Sequence, residues 1–244
     1  MNTQDTPSRK QRRDAGVLQI TERDILSLTW IAEQYCCSYN HLRQLLALYS
    51  PSEVKDPLSV AYSTSMNAVQ RWLDMELIDE PRKVIREITT HIWISRRGLK
   101  QLNLPYPYYS PKVSTIRHFY AVNAIRLAIQ KFPLSALWIS QRLLNLEGTE
   151  NPLPDAELQI SNVPVIGVQV VERPTTPLFI HEESKKLFQF LDRYTRLWYF
   201  VHHEALAPLQ SVVFQLPQQE RERVVFFSLD AKEIALQEKP RSTP

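Results

Sequence analysis

Apolar residues recur at helical spacing in three successive segments near the start of the chain. The first segment begins at Thr21, which can cap a helix together with Asp24 three residues later. Its apolar stripe consists of Ile25, Leu28, Ile31 and Ala32. Ser38 can cap a second helix, whose inner residues are Leu42, Leu45, Leu46 and Tyr49. A third helix is predicted over residues 59–76, with Val69, Trp72, Leu73 and Leu77 on its inner face.

Two strand-like segments follow the third helix. Residues 84–88 and 91–95 have the composition of strands, and Arg82 and Lys83 precede the first of them. Three helices followed by a basic hairpin is the order of a winged helix-turn-helix, in which the third helix enters the major groove of DNA. The pattern therefore predicts such a domain over residues 18–104.

The second half of the chain changes to a pattern of alternating helices and strands. Residues 105–114, rich in Pro and Tyr, predict a stiff linker, and an amphipathic helix over 115–131 follows. The remaining predicted elements are strands at 138–139, 156–160, 165–171, 197–201 and 224–229, a helix over 177–195 and a helix end at 212–215. Residues 141–146 fit either a helical turn or a continued strand. We expect an α/β domain over 115–237 and a frayed tail over 238–244.

The composition of the chain narrows its possible locations and partners but does not indicate a function. The net charge of +3, from 29 Lys and Arg against 26 Asp and Glu, is too small to indicate a nucleic-acid partner by itself. The polar N-terminal segment lacks the apolar core of a signal peptide, and the chain has no apolar run near the length of a membrane span. We therefore expect a cytoplasmic protein with no membrane partner. The adjacent Cys36 and Cys37 read as reduced core residues without a metal role.

The candidate DNA contacts combine polar groups that can read base edges with cations that can hold phosphates. On the third helix they are Tyr62, Ser63, Ser65, Asn67, Gln70 and Arg71; on the hairpin they are Arg82, Lys83 and Arg86. Residues 1–17 form a basic segment, in which Arg12 and Arg13 are candidate phosphate contacts, and we expect this arm to be disordered without DNA. The other interpretation of the same domain is a docking surface for protein with no nucleic acid.

Several segments resemble one known family. They are the opening helix at 20–26, Trp-Ile-Ser-Arg-Arg-Gly at 93–98, the helix segment 118–123, and the region 138–194 with its Pro154-Asp155 pair. In their order they resemble the replication-relaxation proteins of plasmids and other mobile elements, which join a winged helix to a restriction-endonuclease-like domain. The resemblance covers about residues 20–201. It implies an α+β protein, with a winged helix-turn-helix followed by an α/β restriction-endonuclease-like domain.

The chain departs from the pattern of this family at the positions that carry nuclease chemistry. The resemblance implies an acid at Gln141, an acid at Val170, Asp at Glu172 and Gly at Pro174. Nucleases of this fold hold Mg²⁺ through two or three carboxylates with a lysine nearby. Asp155 and Glu172 could supply two carboxylates, and only Lys185 or Lys186 on the following helix could supply the lysine.

The sequence therefore predicts a DNA-binding protein of a plasmid or other mobile element, acting in replication control, mobilisation or transcriptional regulation. Its nuclease-like domain is expected to be inactive and to need no cofactor. One alternative is a Mg²⁺-dependent nuclease or nickase that uses Asp155, Glu172 and Lys185; a second is a protein-interaction module. In the simplest interpretation, Asp155 caps a turn and Glu172 forms a surface ion pair. The expected partner is double-stranded DNA, with a second copy of the chain or replication and mobilisation proteins as further candidates.

Overall fold

The computed structural model of the chain describes residues 19–50, 58–84, 90–131, 136–148, 152–172 and 176–229. It has mixed α+β architecture with two sheets, so the predicted fold class is confirmed at that level. The predicted basic arm with Arg12 and Arg13, the hairpin residue Arg86 and the tail after 237 lie outside the described residues.

The first three helices begin near where the sequence predicts them. Helix α1 (Glu22–Glu33) has the predicted capping box, because the Thr21 hydroxyl accepts from Asp24 N and the Asp24 carboxylate accepts from Thr21 N. After strand β1 (Cys37–Ser38), Ser38 caps α2 (Tyr39–Leu48). Helix α3 (Tyr62–Asp74) is shorter than predicted, since its N-cap position offers no side-chain hydrogen bond and the backbone turns left-handed just beyond its end. The stripe on α1 was wrong at one position, because Ile25 is exposed.

A small sheet follows α3. Strand β2 (His91–Ile92) pairs antiparallel with β1, and isolated bridges join Ile78 to Ile94 and Arg82 to His91. The first arm of the hairpin is therefore residues 78–82, which precede the predicted arm at 84–88; residues 85–89 lie outside the described chain. Pro81 in this arm has no N–H to donate, which agrees with pairing through isolated bridges rather than a continuous ladder.

The N-terminal core forms between these helices and the hairpin. Its fully buried large side chains are Leu28, Trp30, Ile31, Leu42, Leu45, Leu46, Trp72, Leu77 and Ile92. Helix α4 (Arg96–Gln101) starts at Ser95, whose hydroxyl accepts from Gly98 N. It packs so closely that a Cβ on Gly98 would overlap with the carbonyl of Leu77. Only glycine fits this contact without a shift of the backbone.

The second half of the chain builds a five-stranded sheet in the order β3-β4-β5-β6-β7. Its elements are α5 (Val113–Gln130), β3 (Ala136–Ser140), α6 (Gln141–Leu146), β4 (Ala156–Ile160), β5 (Ile166–Val171), α7 (Pro177–Arg193), β6 (Arg196–Val201), α8 (His203–Phe214), α9 (Gln218–Arg221) and β7 (Val224–Ser228). Strand β4 is antiparallel to β3 and β5, whereas β5, β6 and β7 are parallel. Residues 141–146, for which the sequence predicted either a helical turn or a continued strand, form helix α6.

Helices cover both faces of this sheet. Helix α5 packs on one face with Ala156, Leu158, Val168 and Phe200, and α7 and α8 pack on the other with Tyr199 and Val201. All six residues of β5 are buried, as the continuous apolar run predicts for a central strand. Helix α8 begins at His203, well before the predicted helix end at 212–215. The sequence indicated only its last turn, because Pro208 lies inside the helix and interrupts the helical pattern.

Helix α5 also contacts the N-terminal unit through polar groups. Asn123 Nδ2 donates to the Cys36 carbonyl at 2.7 Å, and Trp30 Nε1 donates to Gln130 Oε1 at 2.9 Å. Arg126 is buried and pairs with Glu33 at 2.5 Å. Within the described residues, no helix combines the length and the apolar character needed to cross a membrane.

Candidate functional site

The outer face of α3 carries an uninterrupted polar stripe. Ser63, Asn67 and Gln70 are exposed and follow one another at spacings of four and three residues, so they lie on one side of the helix. Gln70 Nε2 donates to Asp74 Oδ1 at 2.8 Å at the end of this stripe. Tyr62 begins the helix with 58% of its surface exposed. Four of the six predicted contacts on α3 are therefore available to a partner.

Two of the residues predicted on α3 as DNA contacts, Ser65 and Arg71, make contacts within the protein instead. Ser65 is fully buried, and its hydroxyl donates to the Tyr62 carbonyl at 2.7 Å. Arg71 Nη2 pairs with the buried Asp24 Oδ1 at 2.5 Å, and Trp72 Nε1 donates to the same oxygen at 3.0 Å. The placement of Ser65 on the outer face was wrong, because position 65 faces the core. Arg71 contributes to the contact between α3 and α1.

The charge of Asp24 is stabilised in this setting. Burial by itself raises the pKa of the carboxyl, but the hydrogen bonds from Thr21 and the charge of Arg71 together outweigh it. The net effect lowers the pKa of Asp24. Both oxygens of the buried carboxylate thus accept hydrogen bonds from groups within the N-terminal unit.

The described part of the hairpin carries two of its predicted cations. Arg82 donates to Ser110 Oγ at 2.8 Å and to the Pro111 carbonyl at 3.2 Å, and its guanidinium lies 5.0 Å from the ring centre of Trp93. These contacts fix Arg82 between the hairpin and the segment before α5. Lys83 is exposed next to it. The basic side of the hairpin is therefore held in position by the chain that follows it.

A second polar cluster lies at one end of the five-stranded sheet. Because β4 is antiparallel to β5, the first residue of β4 and the last residues of β5 lie at the same end of the sheet. Asp155 Oδ2 accepts from Val170 N at 2.7 Å, and Asp155 Oδ1 lies 2.6 Å from His118 Nε2. Gln141 N donates to the Asp155 carbonyl at 2.9 Å. The structure thus brings together positions 141, 155 and 170, which the family resemblance connects.

His118 begins the segment 118–123 of the family resemblance, but the sequence analysis gave it no role in this cluster. Burial disfavours its charged form, but the charges of Asp155, Glu172 and Glu183 outweigh that effect and raise the pKa of the imidazole. Glu172 is half-buried directly after β5. Asp155 therefore does more than cap a turn, because it holds a histidine from α5.

Helix α7 adds a carboxylate that the sequence interpretation did not select. Glu183 is buried, and its Oε1 pairs with Lys186 Nζ at 2.6 Å. Burial raises the pKa of Glu183, while Lys186 acts in the opposite direction. Lys185, the lysine of the nuclease alternative, is exposed. Of the two lysines on α7, Lys186 is the one that joins the cluster.

Two further polar side chains lie beneath α7. Gln169 is directly opposite Tyr199 in the register of β5 and β6, and both are buried. Burial and the charges of Glu183 and Asp155 raise the pKa of Tyr199. Gln169 Oε1, Tyr199 OH and Glu183 Oε2 have no hydrogen-bond partner in the part of the chain that the structure describes. A glutamine inside an otherwise apolar run was the one signal in the sequence that could have indicated this position.

The cluster does not offer a ready metal site. Both oxygens of Asp155 are engaged, and Gln141 and Val170 supply no carboxylate. Among the described residues, no three His, Cys, Asp or Glu side chains are grouped so that they could hold a metal ion. A divalent cation would normally take several oxygen ligands including carboxylates. The residues present therefore do not fit the Mg²⁺ centre of the nuclease alternative.

Comparisons with known proteins add no relative. The chain matches no protein-family model, and neither curated proteins nor solved structures show a significant similarity to it. The resemblance to replication-relaxation proteins stays a prediction.

Proposed function

We propose that this chain is a double-stranded-DNA-binding protein whose N-terminal unit is a winged helix-turn-helix. The support is the order of α1, β1, α2 and α3 followed by a hairpin, with β1 paired to the second arm of that hairpin, β2. In that architecture the third helix enters the major groove and the hairpin contacts the backbone or the minor groove. The observation that carries the proposal is the exposed polar stripe of Ser63, Asn67 and Gln70 on α3.

The chemistry of this stripe suits base edges. Asn and Gln side chains can form paired hydrogen bonds with adenine in the major groove, and Ser can bond to several bases. Arg82 and Lys83 lie on the adjacent hairpin, where cations hold phosphates. Arg86, Arg12 and Arg13 stay in the proposed contact set. Ser65 and Arg71 leave it, because one is buried and the other pairs with Asp24.

For the C-terminal unit we propose a nuclease-like fold that serves assembly or a second nucleic-acid contact. The support is the order helix α5, antiparallel strands β3, β4 and β5, helix α7 and parallel strand β6, which is expected of a restriction-endonuclease-like core. The cellular role that we propose is replication control, mobilisation or transcriptional regulation of a mobile element, in the cytoplasm.

The experiment is a binding measurement on the full chain. Labelled duplexes selected from a random-sequence pool are titrated with protein, and fluorescence anisotropy reports the dissociation constant. We expect Asn67→Ala with Gln70→Ala to reduce the preference for the selected duplex by about 1–3 kcal/mol for each base that the variant no longer recognises. Lys83→Glu should weaken binding to every duplex, whereas Lys100→Glu, the same charge change on the exposed side of α4, should not.

Two results would replace this proposal. Metal-dependent nicking of supercoiled plasmid that is lost in Asp155→Ala would establish the nuclease alternative. No DNA affinity at low salt, where even non-specific binding should be measurable, would leave a protein-interaction module.

A further inference from the structure

Asp155, just before β4, and Glu183, on α7, each have a basic side chain of the same chain beside them. His118 Nε2 lies 2.6 Å from Asp155 Oδ1, and Lys186 Nζ lies 2.6 Å from Glu183 Oε1. Asp155 and Glu183 are both buried. We infer that His118 and Lys186 take the place of a divalent cation in this site and keep it assembled without metal. The inference rests on the proposed nuclease-like fold of the C-terminal unit.

Both carboxylate oxygens of Asp155 are in contact with other groups of the chain. A carboxylate that binds a metal directs lone pairs of at least one oxygen at the ion. Here one oxygen is taken by the imidazole of His118 and the other by the backbone N–H of Val170. A metal bound through the lone pair of Oδ1 that faces His118 would displace the histidine that α5 supplies. The hydrogen bond from Val170 fixes the carboxylate in its present orientation.

Glu183 is occupied on one side only. Its Oε1 is paired with Lys186, and its Oε2 has no hydrogen-bond partner among the described residues. One carboxylate whose charge is already balanced by a lysine is a poor ligand set for a hard divalent ion.

The positions around these pairs agree with the same interpretation. Gln141 and Val170 sit at the sheet edge, where the family resemblance implies acids, and neither side chain brings a negative charge. Asp155 and Glu183 are therefore each paired with a side chain of the protein, an imidazole and an ammonium group. A buried charge is tolerated only when it is paired, and here the chain supplies both partners itself.

The test measures Mn²⁺ bound to the full chain by electron paramagnetic resonance, which needs no activity. We expect that neither Asp155→Asn nor Glu183→Gln lowers the amount of Mn²⁺ bound, because the wild-type protein binds none at this site. The double variant His118→Ala with Lys186→Ala frees both carboxylates and should gain a bound Mn²⁺, and adding Asp155→Asn to it should abolish that gain.

Either of two results would overturn the inference. The first is Mn²⁺ bound by the wild-type chain and lost in Asp155→Asn or Glu183→Gln. The second is a folded double variant that gains no Mn²⁺. If circular dichroism shows that the double variant is unfolded, the single variants His118→Ala and Lys186→Ala, each of which frees one carboxylate, replace it in both comparisons. DNA binding is measured separately with Lys83→Glu, so a failure of the proposed function is distinguishable from a failure here.

Discussion

Arg71 Nη2 lies 2.5 Å from Asp24 Oδ1, and this contact fastens α3 to α1. The same carboxylate accepts hydrogen bonds from Thr21 N, Thr21 Oγ1 and Trp72 Nε1. A polar residue on the helix proposed to face DNA thus stabilises the domain. The polar stripe that remains is narrower than the sequence predicts, and its residues are the ones to vary in a test of DNA binding.

Removal of Asp24 should destabilise the chain strongly. Asp24→Ala breaks the capping box and leaves the guanidinium of Arg71 without its buried partner. Loss of one member of such a pair lowers the free energy of unfolding by about 3 kcal/mol. Urea denaturation measures the change. Asp74→Ala, which removes an acid at the end of α3, is the control and should change the free energy of unfolding by less than about 0.5 kcal/mol. Equal losses of unfolding free energy in the two variants would contradict the central role of Asp24.

The stability of the protein should fall in mild acid because of His41. Burial, with the nearby charges of His91 and Lys131, lowers the pKa of His41 to about 3, against 6.5 for a free histidine. The folded state therefore keeps His41 neutral, and its contribution is complete above pH 6.5 and is lost as the pH falls towards 3. Between neutral pH and pH 5 the loss from this group amounts to about 2 kcal/mol.

His41→Phe tests this pH dependence. The ring of His41 packs 4.3 Å from that of Tyr120, and its Nδ1 has no hydrogen-bond partner among the described residues, so an apolar ring can replace it. Urea denaturation at neutral pH and at pH about 5 should show a smaller acid loss in this variant. His181→Phe, at an exposed position on α7, should keep the loss of the wild type. An unchanged loss in His41→Phe would refute the assignment.

The guanidinium of Arg142 connects the two halves of the chain by donating hydrogen bonds in two directions. Arg142 donates to the carbonyls of Ala32 and Pro107 and lies within 5 Å of the ring centres of Tyr35 and Tyr106. Lysine keeps the charge but cannot donate in two fixed directions. We expect Arg142→Lys to lower the free energy of unfolding by about 2 kcal/mol.

Arg193→Lys is the matched control for this prediction. Arg193 also donates to a carbonyl, that of Pro152 at 2.9 Å, but it is exposed. Thermal and urea unfolding of the two variants should therefore differ clearly. Equal stability of the two lysine variants would mean that the buried fork of Arg142 is not important for the join.

Gly98 should not accept even the smallest side chain. The Cβ of Gly98→Ala would overlap with the Leu77 carbonyl and approach the Ile94 side chain, so α4 would have to move away from the hairpin. We expect a lower thermal midpoint for Gly98→Ala. Gly148→Ala is less informative about packing, because it meets no atoms but has a left-handed backbone. A wild-type midpoint for Gly98→Ala would contradict the close packing of α4.

Local signals in the sequence predicted those elements that depend on neighbouring residues. The caps at Thr21 and Ser38 indicated the starts of α1 and α2, and the apolar run at 165–171 indicated β5. The first arm of the hairpin was placed too late, because its strand composition is weak and its pairing with residues 91–94 is a long-range property.

The candidate sites were predictable only in part for the same reason. The spacing on α3 shows which residues share a face, but not that Ser65 turns inward or that Arg71 meets a carboxylate 47 residues away. The cluster of His118, Asp155 and Glu183 joins three elements far apart in the chain. The sequence indicated Asp155 through its resemblance, whereas the histidine and the glutamate look like ordinary helix residues.

The most direct test of the account is the dissociation constant of the full chain for double-stranded DNA at low and at moderate salt, for the wild type and for Lys83→Glu. We expect measurable affinity at low salt that falls as salt rises, and a weaker affinity in Lys83→Glu whose salt slope is smaller by about 1. Lys100→Glu should behave as the wild type does. No affinity of the wild type at low salt, or equal effects of the two charge reversals, would contradict the proposal that the α3 and hairpin face binds DNA.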